Sequence, residues 1–439
     1  MIERITILGG GVSGLGAAIL AKKKGFNVFL SEKKTLSKES KNLLIKNNID
    51  WEEGKHSINK IINSKEIIVS PGISNSSKII DKLNSLNIPI ISEVEFGFRY
   101  SKAKIVAITG TNGKTTTTLL IGHILNNSGY DVLVAGNIGI SFCMSLVDRD
   151  YKYVVLELSS FQLERVEHFR PNIAIILNIT PDHLDRYAFD FTLYKKTKYR
   201  ISKNQISSDM LIYNSDNINA NEIETSAKKI PISLNKQVKV GGYINNNQII
   251  ININNTTMNI QDLALQGKHN LFNSMAAAVA ARVLEVKDSV IRQSMIDFQN
   301  IEHRLEHVVT IHGIDFINDS KATNINATWF ALESMNKKIV WIAGGVDKGN
   351  DYEKLNSLVK SKVKSIICLG KNNKNLIDSF SNQVENIVHA LNMKDAVRQS
   401  YNIANSGDVV LLSPSCASFD LFENFEDRGL QFKQQVRSL

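Results

Sequence analysis

The segment from Ile105 to Thr118 constrains the local fold more tightly than any other stretch of the chain. The apolar run Ile105-Val106-Ala107-Ile108 predicts a buried strand. Thr109-Gly110-Thr111-Asn112-Gly113 follows, then Lys114 and the hydroxyl run Thr115-Thr116-Thr117-Thr118, which opens a helix. A strand that turns through glycine into a helix aims backbone N–H groups and the positive end of the helix dipole at one point, which is an anion site. Lys114 is placed to reach outer phosphates, and the Thr115 hydroxyl to ligate Mg²⁺. Gly110 lies three residues before Gly113, where the general nucleotide loop has about five. A glycine turn that only caps a helix is the alternative.

With 439 residues the chain is too long for one ordinary core, and roughly two to four domains are expected. A hydrophobic content of 43% and a charged content of 22% are those of a soluble globular protein. No apolar run approaches the roughly 20 residues of a membrane span, and the glycine-broken start lacks a signal-peptide pattern. Three cysteines, Cys143, Cys368 and Cys416, are too scattered for a disulfide framework or zinc site and suit a reducing cytoplasm. The net charge of +9 fits either a lysine-rich solvated surface or attraction of an anionic substrate. No basic block with interleaved aromatics points to nucleic acid.

Strand and helix patterns alternate along the chain, which predicts an α/β fold with parallel sheets covered by helices. Strands are expected at Ile5–Leu8, Val28–Leu30, Ile67–Val69 and Ile88–Ile91 in a first block. A second block places them at Val132–Ala135, Tyr153–Leu156 and Ile173–Leu177, with Asn-rich hairpins over 231–260 and an alanine-rich helix at Asn270–Val286. A third has Lys338–Ala343, Ser365–Leu369 and Asp408–Leu412. Boundaries are expected near 101 and 300.

Gly9-x-Gly11-x-x-Gly14 follows the first strand, and Glu32 closes the second. Such glycines let a backbone approach a pyrophosphate, and the acid falls where a ribose contact belongs. Tight strand–helix packing is the alternative. Two phosphate loops in one chain suggest a nucleoside triphosphate and a nucleoside-diphosphate-linked substrate.

Glu157 ends an apolar strand beside the second loop, placed for Mg²⁺, although the helix dipole alone favours an acid there. His183 lies among Asp182, Asp185 and Arg186 at another strand end, a functional setting. The two aspartates equally suit helix caps. Tyr194–Arg200 carries four cations and has the composition of a solvated helix face, with no lysine singled out. Asn270 and Asn273 suit either a helix cap or a base edge. Arg304 is a cation for phosphate charge. The polar loop Asn318–Asn324 follows a strand and favours ligand contact. Gly344–Gly349 offers Lys348 to an anion. Cys416 fits a buried small residue better than a nucleophile.

Taken in order, GTNGKTTTT, ELSSFQLE, NITPDHLDR, YKKTKYR, GKHNLFN, EHR, NDSKATN, GGVDKG and SPSCASFDLFENFEDRG resemble the Mur ligase family. GGGVSGLG and the turn Ser70–Ile73 extend the likeness to nearly the whole chain. The resemblance implies a Rossmann-like domain at 1–101, a central P-loop ATPase-like domain at 102–300 and a Rossmann-like domain at 301–439. The last two segments favour the member that adds D-glutamate to UDP-N-acetylmuramoyl-L-alanine, through an acyl phosphate, in cytoplasmic peptidoglycan precursor synthesis. A monomer is expected.

Position by position, the resemblance assigns ATP to Gly110, Thr111, Asn112, Gly113, Lys114, Thr115, Thr116, Asn270, Asn273, Arg304 and Asp319. It assigns Mg²⁺ to Thr115, Glu157, His183 and a carbamylated Lys198. Lys321 would lie close to the transferred charge. Val12, Ser13, Glu32, Gly72 and Asn137 would line the UDP-sugar site, while Thr323, Lys348, Ser418, Phe419 and Phe425 would lie around D-glutamate, and His183 would also face substrate. Glu32 and Lys33 stand where relatives can carry Asp then Thr, so the uracil contacts depart from the pattern. A sister ligase for another amino acid, a nucleotide-dependent oxidoreductase and a phosphate-loop binding module are the rival readings.

Overall fold

Three sheets carry the strand–helix alternation in a computed structural model, which describes residues 3–246, 248–253, 256–260, 263–265, 267–298, 302–347 and 349–439. The first contains β1 (Arg4–Leu8), β2 (Asn27–Ser31), β3 (Asp50–Glu52), β4 (Glu66–Val69) and β5 (Ile90–Ser92), all parallel, in the order β3-β2-β1-β4-β5. Apart from the edge strand β3, their residues are almost wholly buried, as in a sheet covered on both faces. Strand order reverses between β1 and β4, which opens a crevice at their C-terminal ends. The glycine turn after β1 and the Ser70–Ile73 turn after β4 meet there. A Cβ on Gly14 would lie 1.9 Å from Gly9 O, so this glycine serves close packing. A Cβ on Gly11 would meet nothing within 4 Å, which leaves open space for a ligand.

The second sheet comprises β6 (Lys104–Thr109), β7 (Val132–Gly136), β8 (Tyr153–Glu157), β9 (Ile173–Ile176), β10 (Met210–Asn214), β11 (Lys228–Ser233), β12 (Gly241–Asn245), β13 (Gln248–Ile253) and β14 (Thr256–Ile260). Its order is β14-β13-β12-β11-β10-β9-β6-β8-β7. The first six of these strands are parallel, and β12, β13 and β14 form the antiparallel meander expected over 231–260. β10 and β11 were not foreseen. The alanine-rich helix runs from Lys268 to Val283.

Both sheets belong to one compact unit, Met1–Phe298. The stretch near 101 separates them, yet two buried carboxylates on the Glu93–Phe98 helix bond across it. Glu93 Oε1 accepts from Ser141 Oγ at 2.7 Å and Cys143 N at 2.8 Å, and burial pushes its pKa up. Glu95 Oε2 accepts the N–H groups of Glu167, His168 and Phe169 at 2.9, 3.0 and 2.8 Å.

The second unit, Gln299–Leu439, holds the third sheet. Its strands are β15 (Glu306–Ile311), β16 (Ile314–Asn318), β17 (Ile339–Ala343), β18 (Val363–Leu369), β19 (Asn386–Ala390) and β20 (Val409–Leu412). The order is β15-β16-β20-β17-β18-β19, parallel except at the β15–β16 edge.

Glu95→Ala removes the shared acceptor of three N–H groups, of which the Phe169 bond is buried and costs about 1–3 kcal/mol when its donor is orphaned. The denaturant midpoint of the first unit is therefore expected to fall markedly. An unchanged midpoint would show that these bonds do not join the two sheets energetically.

Candidate active site

The nucleotide loop is held from outside by the segment that follows β9. Asn178 clamps Asn112 at two points: its Oδ1 accepts from Asn112 N at 2.9 Å and its Nδ2 donates to Asn112 O at 3.0 Å. Thr111 Oγ1 donates to Thr180 O and accepts from Thr180 N, both at 3.0 Å. Gly113 enters the Lys114–Asn127 helix with φ +84°, in the left-handed region that favours glycine. A Cβ there would also lie 2.3 Å from Asn273 Oδ1. Asn273 is thus seated against the loop, and its Nδ2 reaches Asn270 Oδ1 at 3.4 Å. Lys114 Nζ donates to Gly110 O at 2.9 Å and Thr111 O at 2.8 Å, which holds the cation inside the loop.

Carboxylate, hydroxyl and amine groups surround this loop. Glu157 ends β8, the neighbour of β6, and is buried. Its Oε1 accepts from Asn137 Nδ2 at 2.9 Å, while its buried Oε2 makes no hydrogen bond. The buried Thr116 hydroxyl likewise makes none. An unpartnered buried carboxylate oxygen beside a phosphate loop fits a divalent cation. Among the described residues no group of three His, Cys, Asp or Glu side chains could hold a metal. His183 adopts φ +52° and packs its ring edge-on to Phe161, with Nε2 3.7 Å from Asp182 Oδ2.

The basic helix is not a uniformly solvated face. In the helix Phe191–Tyr199, Lys196 is exposed and Lys195 pairs with Glu222, but Lys198 is only 2% exposed. Its Nζ donates to Gly110 O at 2.8 Å and lies over the Tyr194 ring. Burial, reinforced by Lys114, pushes its pKa well below the usual lysine range, against the pull of Asp182 and Glu157. Composition concealed this because helix period, not charge count, decides which lysine faces the core.

Val12, Ser13, Glu32 and Gly72 line one cavity of about 1100 Å³ at the β1–β4 crevice. Asn137, assigned to the same ligand, donates to Glu157 at the end of β8. Glu32 latches the glycine loop: its Oε2 accepts from Gly10 N at 2.6 Å and its Oε1 from Lys34 N at 2.8 Å. Arg186 ties the far wall down. It donates to Pro71 O and Ile73 O and pairs through two nitrogens with buried Glu164. Sequence reasoning did not single out Asn178, Thr180, Glu164 or Arg186 as site groups. Their signal was a polar residue just past an apolar strand, or a charge within a quoted motif.

In the second unit, loops after β16, β17 and β20 gather at the C-terminal edge of three adjacent parallel strands. Asp319 follows β16 and is buried, accepting from Leu305 N at 3.2 Å and Ser413 Oγ at 2.9 Å. Burial raises its pKa to about 6, against the pull of Arg304 and Arg428. Lys321 Nζ lies 4.5 Å from the Phe425 ring centre. Thr323 N donates to Lys321 O, Ser418 is buried and Phe419 is 73% exposed. Val346 and Ala417 pair as an isolated bridge, joining two of the loops. Lys348 lies outside the described residues. Cys416 is buried beside Tyr352 and Asn350, and burial pushes its thiol up to about 11, unsuited to a nucleophile.

Gly113→Ala displaces Asn273 and strains the loop. Misplacement on that scale costs about 10²-fold, to be read as kcat/KM for nucleotide with the far-ultraviolet spectrum unchanged. Near-normal values would remove the loop geometry from catalysis. Asp319, with its raised pKa, binds its proton more tightly folded than unfolded. Native stability therefore falls as pH rises from about 4 to about 6 and is level above. Asp319→Asn is expected to flatten that limb of the thermal-midpoint profile; an unaltered slope would place the titration elsewhere.

Three family models cover most of the chain: the MurD N-terminal domain over residues 4–79, the Mur ligase middle domain over 108–281, and the Mur ligase, glutamate ligase domain over 303–416. The UDP-N-acetylmuramoylalanine--D-glutamate ligase of Christiangramia forsetii is 48% identical over 445 residues, covering 100% of both chains. The ligase of that name from Bacteroides fragilis is 46% identical, again over 100% of each. Among solved structures, UDP-N-acetylmuramate-alanine ligase MurC from Thermotoga maritima matches with TM-score 0.62 at 19% identity, covering 99% of each chain. MurF ligase from the same organism, in complex with ADP, matches with TM-score 0.61 at 13% identity, covering 94% of this chain and 95% of that one. These two likenesses establish the fold. By identity and coverage together, the chain belongs to the Mur ligase family, among the UDP-N-acetylmuramoylalanine--D-glutamate ligases.

Proposed function

We propose that this chain joins the alanyl carboxylate of UDP-N-acetylmuramoyl-L-alanine to the amine of D-glutamate, driven by ATP, in cytoplasmic peptidoglycan precursor synthesis. The observation that carries this reading is the full-length likeness, at 48%, to a ligase named for those substrates. The clamped phosphate loop and the separate cavity at the β1–β4 crevice support two distinct nucleotide sites. The free, buried state of all three cysteines is compatible with a reducing compartment. No helix among the described residues is long and apolar enough to cross a membrane. We assign residues 1–101 to the UDP-sugar, 102–300 to ATP and 301–439 to the amino acid, in a chain acting as a monomer.

A carboxylate is a poor acyl donor because its leaving group would be oxide. Transfer of the γ-phosphoryl group gives an acyl phosphate and ADP. The D-glutamate amine then attacks the acyl carbon, loses a proton, and the tetrahedral intermediate expels inorganic phosphate. Phosphoryl transfer asks little covalent help of a protein, so positioning and charge neutralisation dominate. Lys114, Lys321 and Arg304 are assigned to the charge that develops on phosphoryl and oxyanion oxygens. Asn270, Asn273 and Asp319 are assigned to nucleotide, and Thr323, Lys348, Ser418, Phe419 and Phe425 to D-glutamate. Mg²⁺, when bound, supplies further neutralisation of phosphate charge, held by Thr115, Glu157, His183 and Lys198 as its carbamate. A carbamate forms when a neutral amine adds CO₂ and releases a proton. A lysine held buried and depressed, as Lys198 is, has the neutral amine this needs.

Phosphate release from ATP and UDP-N-acetylmuramoyl-L-alanine is expected to require D-glutamate. Release that ignores D-glutamate, or turnover with L-alanine or a diamino acid in its place, would overturn the assignment. Lys198→Ala is expected to lose most activity and regain part of it with added short carboxylic acids. A folded variant without rescue would make Lys198 a simple cation.

A further inference from the structure

The cavity at the β1–β4 crevice is lined by a histidine that the roles above leave unused. His56 follows β3, the strand beside β2, and lines the cavity together with Gly9, Gly11, Glu32, Lys33 and Lys55. Its Nδ1 lies 2.7 Å from Ser31 Oγ, and Ser31 Oγ lies 2.8 Å from Glu52 Oε1. Glu52 is 7% exposed and accepts Ser57 N at 2.6 Å on the same oxygen, with Lys60 nearby. These bonds hold its pKa down against the effect of burial, so it is an ionised acceptor. The single Ser31 hydroxyl hydrogen therefore goes to Glu52, and the hydrogen between Ser31 and His56 belongs to Nδ1. Burial pushes the His56 pKa below the usual range, with Lys33 adding to it against Glu32 and Glu52. The ring is thus a neutral Nδ1–H tautomer whose Nε2 carries a lone pair, and that lone pair has no hydrogen-bond partner among the described residues.

The fold locates what this lone pair meets. In a sheet of this strand order a diphosphate sits at the glycine turn after β1, and the ribose near the end of β2. The base then falls beyond Glu32, against Lys33, Lys55 and His56. Uracil presents an edge of carbonyl, N3–H, carbonyl. A lone pair in a cavity also lined by Lys33 and Lys55 complements that edge, the lone pair meeting N3–H and the ammonium groups suiting the carbonyl oxygens. Cytosine would set its own N3 lone pair against Nε2.

We propose that His56, oriented by the Ser31–Glu52 relay, is the residue of this chain that selects uracil, through Nε2 accepting N3–H. The proposal rests on the reading that a UDP-sugar occupies this cavity. It also accounts for the Glu32-Lys33 departure noted in the sequence, because the base-reading group is supplied from the next strand.

The test is calorimetric titration of the full chain with UDP, CDP and N3-methyl-UDP, alongside steady-state kinetics. The wild type is expected to prefer UDP over both analogues by about 10-fold or more. His56→Ala is expected to bring the three affinities within about 2-fold of one another, raising KM for the UDP-sugar while kcat and KM for ATP and D-glutamate hold. Ser31→Ala, which frees the tautomer, is expected to narrow the preference in part. A preference that survives His56→Ala in an enzyme that still makes the amide overturns the role of His56 alone. A wild type that binds none of these nucleotides overturns the cavity assignment and this proposal together. If His56→Ala does not fold, the wild type decides: equal affinity for UDP and N3-methyl-UDP overturns the proposal.

Discussion

The two hydrogen bonds between the Asn178 amide and the backbone of Asn112 hold the rest of the first unit's chemistry in register. A glycine loop is useful to phosphate only if its N–H groups are preorganised, since glycine otherwise has the most conformational freedom to lose. Here the freedom is removed from outside, by a neighbouring strand end. Thr111 and Thr180 repeat the arrangement, one residue before Asn112 and two after Asn178. Because β6 lies between β8 and β9, the same sheet that clamps the loop also brings Glu157 to its edge.

Buried charge organises the site in two different ways. Glu95 and Arg186 are fully satisfied and act as fasteners, tying the segments around the cavity to the central sheet. Glu157 and Lys198 are incompletely satisfied or strongly perturbed, a costly state for a group without a ligand to meet. The distinction separates groups that hold the architecture from groups that await chemistry, though all are acidic or basic side chains.

Much of this was legible in the sequence. The alternation of apolar runs and helical spacing predicted parallel sheets, and the strands after Lys104, Val132, Tyr153 and Ile173 lie where the pattern placed them. β3 escaped because it has only three residues, and β11 because Lys228, Lys229 and Pro231 interrupt its apolar pattern, whereas the apolar run of β10, Met210-Leu211-Ile212-Tyr213, was legible in the sequence. Lys198 shows the sharpest limit. Four cations in seven residues look solvated until the helix is docked, and only then does one of them face Gly110. Asn137, placed by resemblance in the sugar-nucleotide site, also bonds to Glu157, a contact that consecutive residues do not reveal. His56 drew no notice, since nothing about a lone histidine in sequence reveals a serine twenty-five residues earlier.

The sequence by itself determined the family, the two phosphate turns and the α/β class, because glycine spacing and strand–helix period are local properties written in consecutive residues. Only the tertiary structure decided which charges are buried, which backbone groups clamp the loop and which tautomer His56 adopts. Those depend on strand order: β1 beside β4, and β6 between β8 and β9, bring together residues that the chain keeps far apart.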